Sequence, residues 1–213
     1  MTRVGAPQTN PVTVELLEAA YRQGVFPMGD PETGDLAWYR PEPRTIIDLE
    51  GFHVSRRLGK TIRGGKFRFT VDQAFDEVIR RCARRESFRE CWITPEIVDL
   101  YSRFHRCGKA HSVEAWVGGD AAEPCAAGGE LAGGLYGVAL GGAFMGESMF
   151  HAERDASKAC LVYLVERLKS RGYVLLDTQF PTPHLARFGI LILPHREYLA
   201  RLDEALKRDC SFA

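Results

Sequence analysis

The sequence has no net charge, 28 Lys and Arg standing against 28 Asp and Glu. That excludes a protein that coats nucleic acid indiscriminately through bulk attraction. It has no run of 18 apolar residues, so nothing in it reads as a membrane-spanning helix. The first twenty residues carry no apolar core of a secretory signal, and the expectation is a cytoplasmic protein. Its six cysteines lie far apart with no Cys-x-x-Cys pair, which reads as reduced thiols rather than a zinc site or a disulfide framework. The six histidines have no partner at ligand spacing, so no metal is expected. A phosphate-cradling Gly-x-x-x-x-Gly-Lys loop, a Gly-x-Ser-x-Gly elbow and a paired Cys/His nucleophile are all missing. No cofactor is expected either.

The informative stretch runs from Leu131 to Phe180. It reads as two short glycine-rich strands, a turn carrying Glu147, a helix and a strand ending in an acid and an amide. Asp155 is placed to cap the helix, whose apolar stripe is Ala156, Cys160, Leu161, Leu164, Val165 and Leu168, with Gly172 as its stop. The run from Tyr173 to Leu176 predicts a strand buried on both faces. Asp177 and Gln179 follow two residues apart, so period-2 alternation puts them on one face at its carboxyl end, where open α/β sheets hold ligands. The glycine pairs 133–134 and 141–142 suit close backbone approach rather than phosphate binding.

Upstream, residues 1–12 read as a loose arm and residues 13–21 as a short helix closed by Gly24. A proline- and glycine-rich segment carrying Trp38 and Tyr39 comes next. Residues 45–49 and 66–70 predict strands, the second closing a basic, glycine-broken stretch that begins at Phe52. Asp72 is placed to cap a helix with Phe75, Val78, Ile79 and Cys82 inward and Arg80, Arg81, Arg84 and Arg85 outward. Thr94 and Pro95 open a helix to Cys107, followed by a strand at 111–117 and a flexible loop at 118–130. From residue 51 to residue 90, eleven cations, Arg56 and Arg57 among them, face five acids. Such a patch on a neutral protein suits a limited stretch of phosphate backbone, or a solvated helix face. A mostly helical N-terminal third followed by alternating strands and helices predicts a mixed α/β sheet.

Glu147, Asp177 and Gln179, framed by Phe144, Met145, Met149 and Phe150, describe a pocket with apolar and polar parts. The same residues also fit an apolar core whose acids cap loops.

Several ordered blocks resemble the leucyl/phenylalanyl-tRNA–protein transferase family. They are YRQGVFPM from Tyr21, WYRPEPR from Trp38, FHVSRRLGK from Phe52, WITPEIVDLYSRFHRCGKAHSVEAW from Trp92, GESMFHAERDASK from Gly146 and LLDTQFPTPHLARFG from Leu175. The resemblance implies an α/β (α+β) fold: a small N-terminal domain over residues 1–60 and an acyl-CoA N-acyltransferase-like mixed sheet over 61–213. It implies transfer of Leu, also Phe and in some cases Met, from aminoacyl-tRNA to proteins with N-terminal Arg or Lys, marking them for degradation. By the same resemblance Asp177 and Gln179 are catalytic, and Phe144, Met149 and Leu176 form the side-chain pocket. Glu147 meets the acceptor cation, and Tyr21, Trp38, Trp92 and His184 complete the substrate-binding set. The tRNA would lie on Arg56, Arg57, Arg80, Arg81, Arg84 and Arg85. An aminoacyl ester is already activated, so no ATP or covalent intermediate is required. Two rival readings stay open: a small-molecule N-acyltransferase using acyl-CoA, and an RNA-binding adaptor without catalysis.

Overall fold

The computed structural model describes residues 2–4, 11–30, 33, 35–83, 92–119 and 128–213. The N-terminal elements are β1 (Thr2–Val4), α1 (Val14–Tyr21), β2 (Phe26–Gly29), β3 (Leu36–Arg40), β4 (Arg44–Ile47) and α2 (Arg56–Arg63). Then come β5 (Arg68–Val71), α3 (Phe75–Ala83), α4 (Pro95–Arg106), β6 (Ala110–Val117), β7 (Glu130–Leu140) and β8 (Ala143–His151). The chain continues with α5 (Ala156–Ser170), β9 (Leu175–Gln179), a 3-10 turn at Leu185–Phe188, β10 (Ile190–Leu193) and α6 (His195–Leu206).

Seven strands make one mixed sheet in the order β10-β4-β9-β8-β7-β6-β5, and β1, β3 and β2 make a separate small sheet. Neighbours in the large sheet are antiparallel except β8 and β9, which α5 joins as a parallel pair. A parallel pair needs such a crossover, because a tight turn cannot return the chain in the same direction. On one face α5 and Leu58 of α2 bury against the sheet, and on the other face α1, α3, α4 and α6 do so. Two glycines of β7 make both approaches possible. A Cβ on Gly133 would stand 2.7 Å from that of Ala156 in α5, and one on Gly134 would stand 2.9 Å from Val78 of α3. Close approach to a ligand or a neighbouring strand is the expectation there; the tightest approach at this pair is to the helices α5 and α3.

The mixed α/β sheet is as expected, and several local expectations need correcting. Residues 2–4 are not a loose arm; they pair with β3, Thr2 opposite Arg40. The N-terminal third is not mostly helical, because β2 and β3 form a hairpin, Phe26 opposite Tyr39, that carries Trp38. The basic stretch after Phe52 contains α2, capped by Ser55, whose hydroxyl accepts from the Leu58 N–H. Asp72 caps nothing: it is left-handed (φ 60°), and its carboxylate accepts from the Ser112 N–H and is paired with His111 Nδ1. Asp155 is also left-handed (φ 70°) and makes no capping bond; its carboxylate holds Lys158 and Arg57 instead. Thr94 does cap α4 as expected. Most of the loop expected at 118–130 lies outside the described residues, as do Arg84 and Arg85. Among the described residues, no helix is long and apolar enough to cross a membrane.

Candidate active site

The parallel pairing of β8 and β9 stops at Met145 opposite Asp177, while β8 runs on beside β7 to His151. The strands part there, and each carries a register shift. In β8, Ser148 faces Tyr136 and Gly146 faces Gly137, leaving Glu147 as the extra residue of a bulge. In β9, Gln179 faces Thr45 and Asp177 faces Ile46 on β4, leaving Thr178 as the extra residue. Bulges bend a strand and re-aim its side chains. Glu147 thus lies within a strand, not in the expected turn.

A cavity of about 500 Å³ fills the opening. Leu135, Met149, Leu161, Leu164, Leu176 and Leu185 supply apolar lining, and Glu147, Ser148, Thr178, Gln179 and His184 supply polar groups. The Gln179 amide donates to Glu147 Oε1 at 3.1 Å, and the Tyr101 hydroxyl donates to Glu147 Oε2 at 3.4 Å. Tyr101 is in turn hydrogen-bonded to Tyr21. Burial pushes the Glu147 carboxyl up to about 8. The Tyr21 hydroxyl opposes that shift, the Asp177 charge adds to it, and Arg44 opposes it. His184 is held below its ordinary pKa by burial and then by Lys158, so its ring is neutral near neutral pH. Ser148 Oγ and His184 Nε2 are buried without a hydrogen-bond partner among the described residues. A group in the cavity would satisfy such atoms, which are costly to leave unpaired.

Asp177 is elsewhere. It does not share a face of the cavity with Gln179, because the bulge at Thr178 breaks the period-2 alternation on which that expectation rested. Asp177 and Arg44 are both fully buried. Arg44 Nε lies 2.9 Å from Asp177 Oδ1, and the Tyr198 hydroxyl donates to Oδ2 at 2.9 Å. The guanidinium also donates to the Gly24 carbonyl at 2.8 Å, and its carbon lies 4.4 Å from the centre of the Tyr198 ring and 5.2 Å from that of Phe26. Burial disfavours the Arg44 charge, but Asp177 more than restores it, so its pKa rises. The remaining tie leads to the cavity: Asp177 Oδ1 accepts from the Gln179 backbone N–H at 2.9 Å. Gln179 is left-handed there, with φ 58°. A non-glycine residue in that region is held by its surroundings.

Of the residues singled out in the sequence, Glu147, Met149, Leu176, Gln179 and His184 meet in the cavity wall. Phe144 is fully buried behind it, stacked on Phe212 with ring centres 5.1 Å apart. Tyr21 reaches the site from beneath, its hydroxyl bound to Tyr101 and acting on the Glu147 carboxyl. Trp38 and Trp92 are half-buried and do not line the cavity. The described arginines do not form one patch, since α2 and α3 pack on opposite faces of the sheet. Arg56, Arg57 and Arg80 are exposed. Arg81 is engaged, with Nε 2.7 Å from Glu77 and a 2.8 Å bond to the Leu131 carbonyl. Sequence reading missed Arg44, Tyr101, Tyr198 and Ser148. An arginine drawn into a buried strand requires a buried partner, but the burial of Arg44–Ile47 shows only in the structure.

Two family models match this chain. Leucyl/phenylalanyl-tRNA protein transferase covers residues 46–203, and the N-terminal domain of the same transferase covers residues 10–42. A protein of Rubrobacter xylanophilus named leucyl/phenylalanyl-tRNA–protein transferase is 51% identical over 202 residues, spanning 95% of this chain and 99% of its own. A protein of the same name from Gloeobacter violaceus is 47% identical across 94% of this chain and 97% of its own. Among solved structures, L-PGS from Bacillus licheniformis matches at 13% identity with a TM-score of 0.41, covering 79% of this chain and 66% of that one. At that score the likeness carries no argument.

Proposed function

The chain belongs to the leucyl/phenylalanyl-tRNA–protein transferase family, and from that premise we propose that it moves leucine or phenylalanine, and in some cases methionine, from tRNA to the α-amino group of proteins beginning with Arg or Lys. The consequence is marking of those proteins for degradation. The observation that carries the reading is the cavity, in which a leucine-lined wall lies beside a linked carboxyl and amide. The apolar wall takes the side chain of the transferred residue, and Glu147 is the carboxyl group that the cationic acceptor meets.

The ester of the aminoacyl-tRNA supplies the driving force. The protein's task is to hold amine and ester together, and such orientation contributes up to about 7–11 kcal/mol of a barrier. Gln179 orients the reacting groups with its amide. Asp177 acts through Gln179, fixing the backbone from which that amide projects. For the tRNA we favour the arginines of α2. They share a face with α5, and Arg57 contacts Asp155 two residues before Ser157 of the cavity wall. Contacts of that kind go to phosphates and position without reading sequence. We propose the two-part division of the chain as well. β4 takes its place between β10 and β9, so we draw the border between the two family matches rather than at residue 60.

The test is incubation with labelled leucyl-tRNA and peptides starting with Arg, Lys or Ala, without ATP. Label should appear at the amino terminus of the first two only. Isoleucyl-tRNA should be a poorer donor; its side chain is an isomer of leucine's with the branch at Cβ, so the discrimination rests on shape in the leucine-lined wall. Label on the Ala peptide, or none on any, would defeat the reading.

A further inference from the structure

We infer that Glu147 is the general base of the transfer, taking the proton from the attacking α-amine as the N–C bond forms. This rests on the function proposed above and concerns the same cavity. Three geometric facts select Glu147. It is the only carboxylic acid among the described residues of the cavity wall. It is the extra residue of a bulge, which aims it into the gap between β8 and β9. Its carboxyl oxygens accept from Gln179 and Tyr101, with the Tyr21 hydroxyl acting on it as well, so its direction is fixed at the cavity wall. Asp177 is excluded because both its oxygens are occupied by Arg44, Tyr198 and the Gln179 N–H behind the wall. A neutral glutamine amide is no base.

The step balances without an outside reagent. The neutral amine attacks the ester carbonyl, and Glu147 accepts the proton that the nitrogen must lose. The C–O bond to the ribose then breaks, and the same proton passes to the leaving ribose oxygen. The groups facing Glu147 are Tyr21 of α1, Tyr101 of α4, Arg44 of β4, Asp177 and Gln179 of β9, and Tyr198 of α6. The three tyrosines have pKa values raised by burial, so they stay neutral donors throughout the working range. With its own pKa near 8, the carboxyl is matched to an α-amine of about 7.7–8.0, which is where a general base is most effective.

The experiment follows kcat against pH at saturating Arg-starting peptide and saturating leucyl-tRNA, so that the meeting of Glu147 with the acceptor cation, which acts on KM, is kept apart from proton transfer. Both the amine and Glu147 must be unprotonated. Below both pKa values the wild-type rate should therefore fall with about the second power of proton concentration. Glu147→Gln should lose about 100-fold at alkaline pH, and its rate should fall with about the first power only, set by the amine. Glu147→Asp, which keeps a displaced carboxylate, should retain the steeper fall at a reduced rate. A steep fall that persists in Glu147→Gln, or a loss below about tenfold in that variant with native circular dichroism, overturns the inference and leaves the transfer function standing. A wild-type protein that transfers at no pH overturns both.

Discussion

Asp177 and Glu147 sit on adjacent strands, and their surroundings are opposites. Asp177 is closed in by a buried guanidinium, a tyrosine hydroxyl and a backbone N–H, with every oxygen engaged. Glu147 stands at a cavity with an amide and two tyrosine hydroxyls for company, and burial raises its pKa. The first carboxylate has its charge matched and fixes geometry; the second has its charge poorly matched and is available for chemistry. On the roles proposed above, the two acids divide the work through their environments.

The largest effect that tests this contrast comes from the closed side. Arg44→Met leaves Asp177 buried without its cation, and breaking such a pair costs about 3–5 kcal/mol. Urea unfolding of the variant should show that loss. A change below about 1 kcal/mol would mean that the pair is not enclosed as described.

A smaller effect belongs to the open side. Glu147 binds its proton more tightly in the folded chain than at its ordinary value of 4.5, holding it up to about 8. Between those values the folded state carries more protons than the unfolded one, so this group's contribution to stability falls as pH rises. Glu147→Gln should therefore gain on the wild type in thermal midpoint as pH is raised through that window. Parallel curves for the two proteins would contradict the raised pKa.

The smallest effect concerns the tRNA surface. Arg56→Ala should weaken all substrate tRNAs alike and flatten the salt dependence of binding, because an exposed cation releases counterions when it meets phosphate. Arg81→Ala should leave that slope unchanged, its guanidinium being tied to Glu77 and Leu131. The same slope change in both variants would erase the distinction between free and engaged arginines.

Much of this arrangement was legible in the sequence. The Thr94–Pro95 start signal gave α4, period-3.6 spacing gave α5, an apolar run gave β9, and the amide at its end lines the cavity. What escaped depends on contacts distant in sequence. Arg44 lies 133 residues from Asp177, and no local pattern joins them. The bulges at Glu147 and Thr178 each add one residue to a strand, so counting by twos put Asp177 on the wrong side. α2 was hidden by its charges and Gly59, although Ser55 and the spacing of Leu58 and Ile62 signalled a capped helix.

The division between a fixing acid and a reacting site is tested most directly by measuring urea stability and leucine transfer together on Asp177→Ala and Gln179→Ala. Asp177→Ala should lose about 3–5 kcal/mol of stability, because Arg44 is left buried and unpaired. Its transfer should fall as the Gln179 backbone is released. Gln179→Ala should keep its stability within about 1 kcal/mol and lose transfer by about 100-fold or more. An Asp177→Ala protein of wild-type stability, or a Gln179→Ala protein with wild-type turnover, would contradict the account.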